Sequence, residues 1–124
     1  MSDIKWNNIC SQADINKLLN IYGGFHDSCI KEMHYVGNGK IDHALRMGDT
    51  KSVELYVVFQ RQARDPCTIE LKFKKVSHVN INISYRRFPA IFDVAILQKN
   101  DFIYWANNAN WTPEQMNDYP YSIW

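Results

Sequence analysis

Val53-Glu54-Leu55-Tyr56-Val57-Val58-Phe59-Gln60 decides the fold class. Successive side chains of a strand point to opposite faces, so Val53, Leu55, Val57 and Phe59 form an apolar side while Glu54, Tyr56, Val58 and Gln60 form the other. Across the loop from Arg61 to Pro66, Ile69, Leu71 and Phe73 alternate with Glu70, Lys72 and Lys74. The two segments predict an antiparallel hairpin with one face in a core and a charged face in water.

Working outward, Val79, Ile81 and Ile83 alternate with His78, Asn80 and Asn82, which predicts a further strand. Ile91 to Leu97 is almost continuously apolar, broken by Asp93, and reads as a strand covered on both faces. Phe102 to Ala106 follows the turn Lys99-Asn100-Asp101. Upstream, Phe25 to Val36 reads as a strand with Phe25, Cys29, Met33 and Tyr35 on one face and Ile30 and Val36 on the other. Gly37-Asn38-Gly39 marks a turn, and Lys40 to Thr50 is a polar connection.

Helices are expected at both ends. Ser11 is a good N-cap for a segment whose apolar stripe is Ala13, Ile15, Leu18, Leu19 and Tyr22, with Gly23 and Gly24 as a left-handed stop. Trp6 and Ile9 precede it as a further turn or a strap onto the core. Thr112-Pro113-Glu114-Gln115 has the cap, proline and glutamine spacing of a capping box, which predicts a short C-terminal helix. The fold class expected is α+β, mainly antiparallel β: a meander of about six strands, arranged as a helix-backed sheet or a sandwich.

The 124 residues are one domain's worth, with one core expected over 1–124. Hydrophobic residues at 46% and charged residues at 22% fit a globular chain rather than a disordered one. Fourteen Lys and Arg against thirteen Asp and Glu argue against a partner held by phosphate charge, so nucleic acid is disfavoured. Cys10, Cys29 and Cys67 are odd in number and scattered, which favours a reducing cytoplasm over a disulfide framework. No secretory leader or membrane span is expected from Met1–Asn8 or from any later stretch.

Candidate chemistry concentrates at His26, Asp27 and Ser28, a possible imidazole–carboxylate pair beside a hydroxyl, with Cys29 next to it. Strand alternation would place His26 and Ser28 on one face and Asp27 and Cys29 on the other, which opposes a relay. The alternative role is that Asp27 or Ser28 bonds the backbone of the two-glycine turn. His26, Glu32 and His34 share a face, yet eight residues of strand separate the histidines by roughly 26 Å, too far for one metal. No metal, cofactor or catalytic residue is therefore assigned. Arg61, Arg64, Arg86 and Arg87 stand at two connections as candidate contacts for an acidic protein partner. Trp111 and Trp124, within an aromatic-rich last fifth, are candidate anchors of a partner or dimer surface.

The run Tyr22-Gly-Gly-Phe-His-Asp-Ser-Cys-Ile-Lys-Glu-Met-His-Tyr-Val and the later Val58-Phe59-Gln60-Arg61-Gln62 resemble segments of a group of small uncharacterised bacterial proteins. Proteins of that type are often similar to immunity proteins of contact-dependent toxin systems, which neutralise a toxin by masking it. The resemblance implies a binding domain that works by protein contact and requires no catalysis. The competing expectation is a small-molecule ligand-binding domain or enzyme with a pocket near His26 and Asp27, joined by a neighbour such as Arg61 or Tyr104.

Overall fold

A computed structural model describes residues 5–48, 52–81 and 90–115. Helix α1 spans Gln12–Ile21. Ser11 Oγ accepts from the Asp14 amide at 3.2 Å, and the Asp14 carboxylate accepts in return from the Cys10 amide at 2.9 Å. The first bond satisfies one of the donors a helix start leaves open, and the second anchors the residue before the N-cap. Ile15 is fully buried on the expected stripe, and Gly23 and Gly24, at φ 58° and 65°, provide the expected left-handed stop.

Among the described residues five strands follow: β1 (Ser28–Val36), β2 (Glu54–Arg61), β3 (Thr68–Phe73), β4 (Ala95–Lys99) and β5 (Phe102–Ala106). β1, β2 and β3 form an antiparallel sheet in that order, and β4 and β5 form a separate hairpin. The architecture is α+β and mainly antiparallel, but the expected six-strand meander is replaced by a three-stranded and a two-stranded sheet. Residues 79–81 belong to no strand, and 82–83 lie outside the described residues. Ile91 makes only a bridge to Ser28, and regular pairing resumes at Ala95. Within this stretch Asp93 accepts from the Ala109 amide at 3.0 Å, which ties it to the loop after β5. Where a short C-terminal helix was expected, the described residues show a 3₁₀ turn, Pro113–Gln115, and residues 116–124 lie outside the described residues.

The β2–β3 pairing obeys the predicted alternation, with Leu55 opposite Phe73, Val57 opposite Leu71 and Phe59 opposite Ile69 on the inner face. β1 departs from it. The register advances by one between Ile30 and Glu32, making Lys31 the extra residue of a β-bulge. Ile30 therefore faces inward beside Phe59, and Met33 faces inward beside Val57, although strict alternation had put these two on opposite faces. Cys29, paired with Gln60, goes to the outer face.

The main core joins Ile15, Tyr22, Phe25, Leu55, Val57, Phe59, Ile91, Ile96 and Trp105. Phe25 sits at its centre, edge-on to Tyr22 and Phe59 at 5.0 Å each and to Trp105 at 6.0 Å. Each such side chain contributes about 1.5–3 kcal/mol through burial, which offsets the cost of holding Phe25 at φ 62°. The β4–β5 hairpin uses both faces: Ile96 and Trp105 meet the three-stranded sheet, while Ala95 and Ala106 pack on Trp111. Its two-residue turn, Asn100-Asp101, has both φ positive, which matches the twist of antiparallel strands.

Candidate functional site

The Gly23–Ser28 segment was expected to enter a strand at Phe25, but the strand begins at Ser28 and the preceding residues form a turn. Asp27 adopts φ 54°, so the alternation that separated it from His26 does not operate. His26 Nδ1 and Asp27 Oδ2 lie 3.0 Å apart on the surface. Ser28 takes no part in this pair: it is buried and its hydroxyl donates to the Phe25 carbonyl at 2.6 Å. Its backbone exchanges two hydrogen bonds with Ile91, at 3.3 and 2.7 Å. The arrangement holds a turn together, and the serine oxygen is committed to the backbone.

Arg61 is equally committed. Its Nε donates to the Pro66 carbonyl at 2.7 Å, and its Nη2 reaches the Arg64 carbonyl at 3.2 Å and the Ile21 carbonyl at 3.5 Å. The guanidinium thus sits at the end of α1, a helix with no basic residue in its last turn, where a cation offsets the helix dipole. Gly23 makes room for it, since a Cβ there would lie 2.7 Å from Arg61 Nη1. Tyr22 completes the junction by donating to the Cys67 carbonyl at 2.9 Å, and burial pushes its hydroxyl up to about 12 against the opposing pull of Arg61.

Of the remaining sequence candidates, Arg64 is exposed in the β2–β3 loop, whereas Trp111 is a core residue, 1% exposed, with its ring 5.7 Å from that of Tyr104. Packing against Ala95 and Ala106 removes Trp111 from any contact surface. Arg86, Arg87 and Trp124 lie outside the described residues. Cys10, Cys29 and Cys67 are free thiols. Among the described residues there is no cluster of three metal-binding side chains and no helix long and apolar enough to cross a membrane.

Two features were missed in the sequence. The first is the connection from Lys40 to Gly48, read as merely polar. Ile41 and Met47 form an antiparallel bridge, closed by bonds from the Asp42 amide to the Arg46 carbonyl at 2.9 Å and from the Gly48 amide to the Lys40 carbonyl at 2.8 Å. Asp42 Oδ1 accepts from the amides of Ala44 and Arg46 at 2.9 Å each. At the tip Leu45 takes φ 63°, and its amide donates to the Asp42 carbonyl at 2.9 Å. This ordered loop displays Ile41, Leu45 and Met47 at 56%, 84% and 81% exposure. The signal was present as three large apolar residues spaced through a polar stretch.

No known family model, curated protein or solved structure matches this chain. Its second unforeseen feature is an open cleft of about 1080 Å³ between the three-stranded sheet and the β4–β5 hairpin, bordered by Leu71, Phe73, Ile103 and Trp105. His26 and Asp27 are not among the residues that line it. On the outer face of the sheet, Lys72 Nζ meets Glu54 Oε2 at 2.9 Å and lies 5.2 Å from the Tyr56 ring centre. This pair holds the Glu54 carboxyl below its usual range and the Lys72 ammonium above its own.

Proposed function

We propose that this chain is a small cytoplasmic bacterial binding domain that acts by protein contact, of the immunity type that masks a toxin. The observation that carries the reading is the Lys40–Gly48 loop. Its hydrogen bonds fix a tip that exposes Leu45 and Met47, and large apolar side chains held rigidly in water mark an interaction surface. Rigidity before contact lowers the entropy lost on association. Arg46 beside the tip is paired with Asp42 at 3.5 Å, so the tip presents mainly apolar surface, which suits a partner with an apolar recess. The exposed His26–Asp27 pair does not line the cleft between the two sheets, and the contact reading stands ahead of a pocket reading.

The test places a photo-crosslinking amino acid at position 45, with position 12 on α1 as control, in the cells that make the protein. A discrete adduct is expected from position 45 alone. Leu45→Asp should then weaken binding of the purified adduct protein by about 30-fold, the effect of an anchor worth about 2 kcal/mol, while leaving the melting temperature unchanged. Equal labelling from both positions, or unchanged affinity of Leu45→Asp, rejects the reading.

A further inference from the structure

The chain contains a single asparagine–glycine step, Asn38-Gly39, between the end of β1 and the Lys40–Gly48 loop. Glycine carries no Cβ to crowd its backbone nitrogen, so that nitrogen reaches the preceding side-chain amide more readily than in any other step that follows an asparagine. Both residues are exposed, and among the described residues the Gly39 amide donates no hydrogen bond. Asn108-Ala109 is the contrast: there the Ala109 amide donates to Asp93 Oδ1 at 3.0 Å, and the nitrogen is committed.

Asn38 also has a structural task. It adopts φ 57°, and its Nδ2 donates to the Ser52 carbonyl at 2.5 Å, a bond that joins the two ends of the connection between β1 and β2. After Lys72, the Asn38 amide is among the groups that hold the Glu54 carboxyl below its usual range, so it stands beside a second oxygen acceptor. We propose that Asn38 is a site of spontaneous deamidation, and that the reaction unlatches the base of the Lys40–Gly48 loop. The Gly39 nitrogen forms a bond to Asn38 Cγ, the Cγ–Nδ2 bond breaks, and the proton of the Gly39 amide departs with the nitrogen as ammonia. Water then opens the cyclic imide to aspartate or isoaspartate, so the net change is amide plus water to acid plus ammonia. The aspartate product sets a carboxylate where a donor stood, against the Ser52 carbonyl and the Glu54 carboxylate, and acceptors facing acceptors repel. The isoaspartate product adds a methylene to the backbone at the same point. The chemistry is independent of the contact function assigned to the loop.

The test incubates the folded full chain at mildly alkaline pH in heavy-oxygen water, beside the same chain in urea, and maps the products by peptide mass spectrometry with isoaspartate detection. Conversion at Asn38 with uptake of solvent oxygen is expected in the folded chain, and Gly39→Ala should lose it over the same interval. The converted fraction, separated by anion exchange, should melt at lower temperature than the parent, and so should Asn38→Asp. In that variant the Glu54 carboxyl should titrate at higher pH than in the parent, as carboxyl-carbon NMR would record. Leu45→Asp should convert at the parental rate, which separates this chemistry from the contact surface. Conversion confined to the urea sample overturns the proposal, because the fold would then protect the step, and so does equally fast conversion of Gly39→Ala. An Asn38→Asp variant as stable as the parent, with Glu54 titrating unchanged, overturns the unlatching.

Discussion

Arg61 holds its guanidinium carbon 4.8 Å from the centre of the Tyr22 ring while bonding the carbonyl of Ile21 at the end of the same helix. One side chain from β2 thereby fixes where α1 stops and how the helix meets the β2–β3 loop. Arginine suits this position because its planar fork reaches several carbonyls at once while stacking on a ring, which lysine does not reproduce.

Arg61→Ala is expected to cost about 2–3 kcal/mol in urea unfolding, from lost charge-assisted bonds to backbone carbonyls, and Arg61→Lys is expected to recover less than half of that. Gly23→Ala should also destabilise, because it adds a Cβ at positive φ and 2.7 Å from Arg61 Nη1. The two are predicted to be non-additive: part of the alanine penalty should vanish once Arg61 is removed. Strict additivity in the double mutant would contradict the steric contact.

Ser28→Ala and His26→Ala should part company. The serine change removes a buried hydroxyl bonded to the Phe25 carbonyl and should cost about 1–2 kcal/mol. The histidine change acts on an exposed side-chain contact with Asp27 and should stay within about 0.5 kcal/mol of the parent. Differential scanning calorimetry of the two variants distinguishes a turn that stabilises the fold from a surface pair that does not.

Deleting Lys31 should be tolerated. Removal of this one residue leaves Ile30 opposite Phe59, Glu32 opposite Val58 and Met33 opposite Val57, a regular ladder with the same inner face. Deleting Val58 from the central strand should instead shift half of β2 onto the wrong face and prevent folding. Far-UV circular dichroism and amide dispersion report both outcomes, and an unfolded Lys31 deletion would refute the bulge assignment.

Acid should weaken one surface tie in a defined window. The Lys99 ammonium, with the Glu114 amide and the Thr112 hydroxyl assisting, lowers the Glu114 carboxyl from 4.5 to about 2. Because the folded value lies below the unfolded one, the contribution is present above pH 4.5 and disappears as pH falls towards 2. Both groups are solvent-accessible, so the effect should be small and reduced by salt. Glu114→Gln should flatten the stability profile over that interval relative to the parent, as urea midpoints at successive pH values would record.

Much of the fold was legible wherever periodicity had one cause. The β2–β3 alternation, the Ser11 cap and the glycine stop after Tyr22 each follow from local geometry, and the structure reproduces them. Prediction failed where a tertiary demand overrode the local pattern. At Lys31 a bulge lets Ile30 and Met33 both reach the core, which no two-residue period encodes. Asp93, within an apolar run, is bonded to the loop after β5. Trp111 resembled a surface anchor by residue type, yet two alanines on the hairpin make a place for it inside. For the candidate site, Arg61 stood out by its charge, but its carbonyl partners depend on a helix end and a loop brought together only by folding.

The position of Trp105 also governs when the protein becomes safe during synthesis. Phe25 and Phe59 rest against its ring, and Ser28 is bridged to Ile91, so core residues from the first half of the chain are covered by residues from its last third. A nascent chain released only as far as β3 has made its helix and first sheet but lacks Ile91, Ile96 and Trp105, which complete the cover of their inner face. That face stays open to other chains until β5 clears the ribosome, and ribosome stalling before Trp105 would leave an aggregation-prone intermediate.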